Sequence, residues 1–303
     1  MNNVIIIMIH PITFSIPEEK ICVCTPVKDK LLSSLLPGVM STYIYTTEHD
    51  YYNEYKRSYF AITTKKAGWD CMRHYEILAN GCIPYFPDIE LCPPNTMALF
   101  PKELIIQGNL LYNKIKSYSN DVPNDEDLQL YLTLRDKLLD YTREYLTTCK
   151  MATYVLEKAN MSSSNNILYL SGDTSPDYLR CVTLHGFKSL YGTKCHDYPK
   201  IPHIYKSNDI RYDALYGRGI TYTNLLDSTM RDDSLDETIE NRIKSKQFDC
   251  IVYGSYHRGM PYIDLISTIY KPNEIILLCG EDIHTCNYTE GVRRGYHVFV
   301  REL

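Results

Sequence analysis

The chain has 303 residues, more than a single domain usually contains, and this length predicts two α/β domains of about 150 residues each. Its net charge of -5 provides no basic field, which argues against a nucleic-acid partner. The 28 tyrosines suit surfaces that stack on sugars or bases, although codon bias would explain their number equally well.

In the first 100 residues, short apolar runs alternate with turn residues, a pattern typical of strands. The runs are NVIIIMI, KICVCT, STYIYTT, SYFAITT and CIPYF. The first run has no preceding basic residue and an early proline follows it, which favours a buried strand over a signal peptide or membrane span. Between the last two runs, apolar residues recur at helical spacing after Asp70, which can cap a helix, and before Gly81, which can end it. Strand, helix and strand together predict a βαβ unit of a parallel sheet.

Amphipathic helices and a second α/β domain are predicted for the rest of the chain. Apolar residues at helical spacing between Asp125 and Asn160 indicate one or two long helices, and MSSSNN (161–166) has the composition of a linker. Beyond it, the strand-like runs are NILYLS, IPHIYKS, FDCIVYG, EIILLCG and YHVFVREL, and the helix-like segments are 177–190, 235–246 and 262–270. We therefore expect one domain at residues 1–160 and another at 161–303.

The loop after SYFAITT contains residue types that suit a diphosphate group. Ligands of open parallel sheets lie beyond the carboxyl ends of the strands, where helix N-termini and loops meet. Lys65, Lys66 and Gly68 occupy this loop, and the following helix adds free backbone N–H groups at its N-terminus. Arg73 can bind phosphate oxygens, and Glu76 can accept hydrogen bonds from the vicinal hydroxyls of a ribose. The alternative for Glu76 is an exposed ion pair with Arg73, three residues earlier on the same helix.

The run RHYEILANGCIP (73–84) resembles the R-x-x-E-x-x-x-x-G-C-I-P signature of exostosin-like glycosyltransferases. Its E-x-x-x-x-G-x-x-P spacing is similar to the ribose-binding element of two-domain transferases with the GT-B fold. The longer string KKAGWDCMRHYEILANGCIPYFPDI looks closer still to exostosin-like enzymes of large algal viruses of the chlorovirus type. The resemblance implies two Rossmann-like domains facing each other across a cleft. It also implies a donor-binding role for residues 1–160, with Glu76 at the ribose and Arg73 near the diphosphate.

The position of the signature differs from the pattern of the family it resembles. Exostosin-like enzymes have it in their C-terminal half, whereas here it lies in the first 90 residues and a second α/β pattern follows. Either the two halves are in swapped order, or the second is an added domain. No acceptor-side residue is therefore inferred from the family.

In the second domain, the loops after the strand-like runs supply the candidates for acceptor-side chemistry. Asp173, which follows ILYLSG, is the first choice for the general base that removes the proton of the acceptor hydroxyl. Asp282, after IILLCG, and His257, after FDCIVYG, are the alternative bases. The same loops contain residues that can contact the acceptor or the leaving diphosphate, namely Ser255, Arg258 and Glu281. A carboxylate at such a position also commonly caps the next helix, and Asp173 precedes a good helix start.

The cysteines indicate the redox compartment of the protein. The cysteines and the residues of the donor loop also indicate whether the reaction needs a metal ion. Most of the 11 cysteines, Cys279 among them, lie in apolar runs and are interpreted as small buried hydrophobic residues in a reducing compartment. His284 and Cys286 lie beside Glu281 and could suggest a metal site. Lysine, arginine and a helix end can, however, neutralise a diphosphate without a cation. We therefore predict metal-independent transfer and no cofactor, with the UDP-sugar as substrate.

The sequence as a whole predicts transfer of a sugar from a nucleoside diphosphate to a hydroxyl of a glycan or glycoprotein. Uridine is the expected nucleoside, and inversion is the expected stereochemical course because one base is sufficient for it. The viral resemblance implies capsid glycan synthesis in the host cytoplasm, with xylose as the best single choice for the sugar. Two alternatives are a non-catalytic sugar- or nucleotide-binding module and an α/β scaffold that binds no nucleotide.

Overall fold

Two parallel β-sheets organise the computed structural model, which describes residues 8–24, 26–282 and 286–303. The strands are β1 (Ile9–Pro11), β2 (Lys30–Leu32), β3 (Ser58–Ile62), β4 (Ile83–Tyr85), β5 (Ile167–Leu170), β6 (Cys195–Tyr198), β7 (Cys250–Tyr253), β8 (Ile275–Cys279) and β9 (His297–Val300). The helices are α1 (Glu48–Arg57), α2 (Met72–Ala79), α3 (Lys102–Lys116), α4 (Asp125–Tyr145), α5 (Thr148–Lys158), α6 (Tyr178–Tyr191), α7 (Leu235–Lys244), α8 (Ile263–Ile269) and α9 (Tyr288–Arg293). None of these described helices combines the length and apolar character that crossing a membrane needs.

The larger sheet contains six parallel strands in the order β1-β9-β8-β7-β5-β6. Every residue of β7, β8 and β9 is buried, as expected for parallel strands that are covered on both faces. The chain leaves β5 for β6 on one side and continues with β7 on the other, which makes the junction of β5 and β7 a topological switch point. The loops after β5, β7 and β8 therefore meet at one edge of this sheet.

The smaller sheet, in the order β2-β3-β4, contains the predicted βαβ unit. β3, α2 and β4 follow each other as expected, and Gly81 adopts a φ of 61° just beyond α2, where a left-handed residue ends the helix. The predicted cap at Asp70 is wrong, because Cys71 occupies the N-cap position and the Asp70 carboxylate binds other partners.

Three of the predicted strands, KICVCT, STYIYTT and IPHIYKS, do not form strands within the described residues. In the described part of KICVCT, residues 20–24, the Cys22 N–H group donates to the carbonyl of Ala79 at the end of α2, at 2.8 Å. STYIYTT begins in a 3-10 turn and directs Tyr43 and Tyr45 into a cavity. IPHIYKS also contains a 3-10 turn, and the strand β6 precedes it. β6 contains the buried Asp197, whose charge is paired with Lys188 at 2.8 Å, so its sequence lacks the apolar run that marks a strand.

The first strand lies in a different sheet from the rest of the N-terminal third. β1 pairs with β9, so sheet membership does not follow the division at residue 160. Residues 1–7, which include most of the NVIIIMI run, lie outside the described residues.

A buried apolar cluster extends from β3 through α4, α5 and α6 to β7. The α/β class is thus confirmed, whereas two Rossmann-like halves facing each other across a cleft remain a prediction.

Arg301 and Glu302, directly after β9, hold the turn that precedes α2. The Glu302 carboxylate accepts hydrogen bonds from the backbone N–H groups of Trp69 and Asp70, both at 3.0 Å. Arg301 is fully buried, donates to the Asp70 carbonyl oxygen and forms an ion pair with Glu302 at 2.8 Å. These contacts join the end of the larger sheet to the start of α2.

Replacing Arg301 with methionine is expected to destabilise the protein by about 3–5 kcal/mol, because it leaves the buried Glu302 carboxylate without its charge partner. The measurement is the free energy of unfolding in urea. Arg293→Met is the matched control, since Arg293 is exposed and pairs with Glu290 on the surface, where solvent screens an ion pair and its contribution to stability is small. Equal losses for the two variants would contradict the role assigned to Arg301.

Candidate functional site

A cavity of about 470 Å³ lies between the two sheets, and this volume is in the range typical of small-molecule sites. Residues between 40 and 76 form one wall, and Tyr178, segment 215–220 and Asp282 contribute to the other walls. Six aromatic side chains can stack on a base or a sugar ring, namely Phe14, Tyr43, Tyr45, Tyr51, Tyr178 and Tyr216. The charged lining residues are Lys66, Arg73, Arg218, Asp70, Glu76 and Asp282.

A larger cavity, of about 810 Å³, lies at the other edge of the larger sheet. Its lining includes Asp249, just before β7, and Glu274, just before β8, so it faces the amino ends of these strands. Ligands of open parallel sheets bind beyond the carboxyl ends, so we place the candidate site in the cavity between the sheets.

The predicted site residues divide into two groups. Those that line the cavity between the sheets are Lys66, Gly68, Arg73, Glu76 and Asp282. Those outside its lining are Lys65, Asp173, Ser255, His257, Arg258 and Glu281. The cavity therefore contains most of the proposed donor residues and one of the three proposed bases.

Glu76 is a buried carboxylate that accepts one hydroxyl hydrogen on each oxygen. Tyr51 donates to Oε2 at 2.8 Å, and Thr221 donates to Oε1 at 2.6 Å. Burial raises the pKa of Glu76, and the hydrogen bonds from Thr221 and Tyr51 oppose this shift. The alternative of an exposed ion pair with Arg73 is wrong, because both side chains are buried and the carboxylate bonds to hydroxyl groups instead.

Arg73 presents a buried guanidinium with one nitrogen unused. Its Nε donates to Thr63 at 3.1 Å, and its Nη1 donates to Tyr43 at 3.2 Å. Its Nη2 is buried and has no hydrogen-bond partner among the described residues, although the side chain lines the cavity. A buried donor without a partner is costly, so this nitrogen is a strong candidate for contact with a ligand oxygen.

The prediction that the turn before α2 offers free backbone N–H groups to a phosphate is wrong for Trp69 and Asp70. The backbone N–H groups of Trp69 and Asp70 already donate to the Glu302 carboxylate, which also fills the space beside Gly68 where a Cβ would stand. Lys65 is exposed, with its ammonium 5.1 Å from the centre of the Trp69 ring, and lies outside the cavity lining. The turn therefore shapes the cavity, and the side chains of α2 supply its free donor.

Asp70 is a buried carboxyl group in the cavity wall that the sequence interpretation treats only as a cap. It accepts hydrogen bonds from the Phe14 N–H group at 2.7 Å and from the Tyr75 hydroxyl at 2.8 Å. Burial raises the pKa of Asp70 from 3.8 to about 6, against the opposing effect of the Arg301 charge. A carboxyl group with a pKa in this range can exchange a proton near neutral pH.

The pKa of Asp70 predicts how the stability of an Asp70→Asn variant depends on pH. A carboxyl group whose pKa is higher in the folded protein than in the unfolded protein stabilises the folded state at pH values below the unfolded pKa. This contribution is lost as the pH rises through about 6. Asparagine does not titrate, so the variant should gain roughly 2–3 kcal/mol relative to the wild type between pH of about 4 and about 7. Urea unfolding across this range measures the difference, and a difference independent of pH would contradict the shift.

Asp173 lies in a network of ion pairs at the topological switch point. It pairs with Arg180 at 3.0 Å and with Arg258 at 3.5 Å. Burial alone would raise the pKa of Asp173, but the hydrogen bonds from Arg180 and Ser175 outweigh it and lower the pKa to about 2. Such a carboxylate is a weak base, so its position and its pKa both argue against the first choice for the general base.

The loops after β5 and β7 are closed against each other by the same network. Asp177 caps α6 through the Arg180 N–H group at 2.9 Å and also accepts a hydrogen bond from Ser255 at 2.9 Å. Arg258 pairs with Asp177 at 3.1 Å, and its carbonyl fills the space beside Gly172. Ser255 and Arg258 therefore join the two loops instead of facing the cavity between the sheets.

His257 and the residues after β8 form a separate cluster. His257 Nε2 contacts the Glu281 carboxylate at 2.6 Å, and burial lowers the pKa of His257 while Glu281 opposes the shift. Cys279 is buried as expected, but it is also joined to Cys286 in a disulfide. These two sulfurs and the His257 ring have ligand atoms within 4.8 Å of one another, and His284 lies outside the described residues. Metal-independent transfer stays a prediction.

The partners of Glu76 include residues that no local motif marks. Tyr51 and Thr221 lie 25 and 145 positions away in sequence, and the abundance of tyrosine is the only sequence signal for the first. Arg218 also lines the cavity, although the sequence analysis does not predict it as a site residue.

No protein-family model, curated protein or solved structure matches this chain. The proposed function therefore rests on the chemistry of the cavity and on the motif at 73–84.

Proposed function

We propose that this chain binds a nucleoside diphosphate sugar in the cavity between the sheets and transfers the sugar to a hydroxyl group of a glycan. The observation that supports the proposal is the placement of the two motif residues. Both side chains line the cavity, Arg73 with a buried guanidinium nitrogen that has no hydrogen-bond partner among the described residues, and Glu76 with a buried carboxylate. A phosphate oxygen and a ribose diol are the complementary groups on one ligand.

The hydrogen bonds of Glu76 support its proposed role at the ribose. Each of its carboxylate oxygens accepts a hydrogen from a hydroxyl group, one from Tyr51 and one from Thr221. Two hydroxyl donors on one carboxylate is the pattern that a vicinal diol offers. A bound ribose would replace one or both of these protein hydroxyls, and the aromatic walls would cover the base.

Sugar transfer also needs a cation for the leaving diphosphate and a base for the acceptor. Lys66 and Arg73 are the predicted residues in the cavity that can stabilise the developing negative charge. Of the predicted bases, Asp282 lines the cavity, where it pairs with Arg301. Asp70 is a further carboxyl group in the wall, with a pKa raised to about 6 by burial. We propose these two in place of Asp173 because both line the cavity, whereas Asp173 lies outside its lining.

Finer features of the proposal rest on the motif resemblance alone. They are uridine as the nucleoside, xylose as the sugar, inversion of configuration, and synthesis of a viral capsid glycan in the host cytoplasm. The size and aromatic walls of the cavity are compatible with a uridine diphosphate sugar.

A non-catalytic binding module is the second candidate function, and one observation favours it. Asp173, the residue expected as the base, is bound to Arg180 and Arg258 outside the cavity lining. A protein that holds a nucleotide sugar without a suitably placed base would bind the donor and release no product.

Glu76→Gln is expected to weaken binding of uridine diphosphate about 10- to 100-fold, because a neutral amide accepts hydrogen bonds from the ribose less strongly than a carboxylate. Isothermal calorimetry measures the affinity. The 2′,3′-dideoxy analogue of the ligand should bind wild type and variant equally, since it lacks both hydroxyls. Glu290→Gln, at a partly exposed position on α9 outside the cavity lining, is the matched control. Unchanged affinity for the natural ligand in Glu76→Gln would remove the proposed ribose contact.

Incubation of the protein with a panel of nucleotide sugars and glycan acceptors separates the two candidate functions. A transferase should release the free nucleoside diphosphate and extend the acceptor with one sugar. Asp282→Asn should lower the rate while the donor affinity changes by less than about threefold, because the base acts on the acceptor. Donor binding without product from any member of the panel would favour the binding module.

A further inference from the structure

Segment 215–220 forms part of the cavity wall with an unusual backbone. Gly217, Arg218 and Gly219 adopt φ angles of 57°, 56° and 65°, so three successive residues are left-handed. Thr221 follows with a φ of 76°. Glycine adopts this conformation readily, whereas for arginine it is strained, and such strain is concentrated at functional sites.

The two glycines that flank Arg218 lie too close to other residues to carry a side chain. A Cβ at Gly217 would collide with the Tyr178 hydroxyl, and a Cβ at Gly219 would lie 2.8 Å from the Tyr212 carbonyl oxygen. Just beyond, the buried Thr221 is held by its hydrogen bond to Glu76. The strained position is therefore fixed on both sides, and it places an arginine where glycine would fit the backbone better.

Arg218 is a cation without a protein partner in the cavity lining. Its side chain is exposed and forms no hydrogen bond or ion pair with any residue that the structure describes. Arg211, in the same part of the chain, instead pairs with Asp213 at 3.1 Å. A guanidinium group that is held at a cavity by a strained backbone, and that no protein carboxylate neutralises, is suited to an anionic ligand.

Arg218 also changes the balance of charge in the cavity. Without it, the lining would contain two cations, Lys66 and Arg73, and the carboxyl groups of Asp70, Glu76 and Asp282, of which Asp282 is paired with Arg301. A diphosphate group is itself strongly anionic, and excess negative charge would oppose its entry. Arg218 brings the lining to three cations, and the unused Nη2 of Arg73 supplies a buried donor in the same cavity.

We propose that Arg218 is a phosphate-binding residue, which contacts the diphosphate of the donor together with Arg73. This inference rests on the proposed function and extends it to a residue outside the motif. It also assigns a selectivity: the site binds the diphosphate through two guanidinium groups from different parts of the chain, and a nucleoside, which has no phosphate, makes neither of these contacts.

Calorimetric titration of Arg218→Gly with uridine diphosphate and with uridine tests the proposal. The variant should bind uridine diphosphate about 10- to 100-fold more weakly than the wild type, while its affinity for uridine changes by less than about threefold. Its melting temperature should equal or exceed that of the wild type, because glycine suits the left-handed backbone. Arg211→Ala removes an exposed arginine from the same part of the chain and should bind both ligands as the wild type does.

The possible outcomes separate this inference from the proposed function. If the wild type binds uridine diphosphate and Arg218→Gly binds it equally well, only the role of Arg218 is overturned. An equal loss of affinity for uridine and for its diphosphate would also overturn that role, because the contact would then be with the nucleoside. Absence of binding to the wild type would overturn the proposed function and this inference together.

Discussion

The hydrogen bonds between Glu302 and the turn before α2 are the constraint on which the candidate site depends. They join backbone N–H groups at positions 69 and 70 to a carboxylate that lies 233 and 232 residues further along the chain. The fully buried Arg301 neutralises that carboxylate and binds the same turn. Because the turn sets where α2 begins, these contacts determine that Arg73 and Glu76 face the cavity between the sheets.

The switch point of the larger sheet and the cavity between the sheets have opposite electrostatic character. At the switch point between β5 and β7, carboxylates and arginines neutralise one another, and the loops lie against each other. In the cavity between the sheets, the Nη2 of Arg73 lacks a partner among the described residues and Glu76 is bonded to neutral hydroxyls. Paired charges stabilise a fold, whereas a buried donor without a partner, here the Nη2 of Arg73, favours a ligand. This contrast is the physical reason for assigning the site to the cavity.

The sequence predicts those parts of the fold that depend on local periodicity. β3, α2, β4, α4, α5 and most of the second alternation follow from apolar spacing and from glycine signals. β6 is missed because its buried Asp197 is neutralised by Lys188, a contact that periodicity does not show. The motif likewise identifies Arg73 and Glu76 as cavity residues. It could not reveal Thr221, Arg218 or Glu302, because each reaches the site through tertiary contacts from distant segments.

The proposed function depends above all on a nucleoside diphosphate binding in the cavity between the sheets. A crystal structure of the protein with bound uridine diphosphate tests this most directly. We expect density for the ribose hydroxyls within about 3 Å of the Glu76 carboxylate and for the phosphates beside the Arg73 guanidinium. Density for the nucleotide at the loops after β5 and β7, or in the cavity at the amino ends of the strands, would contradict it.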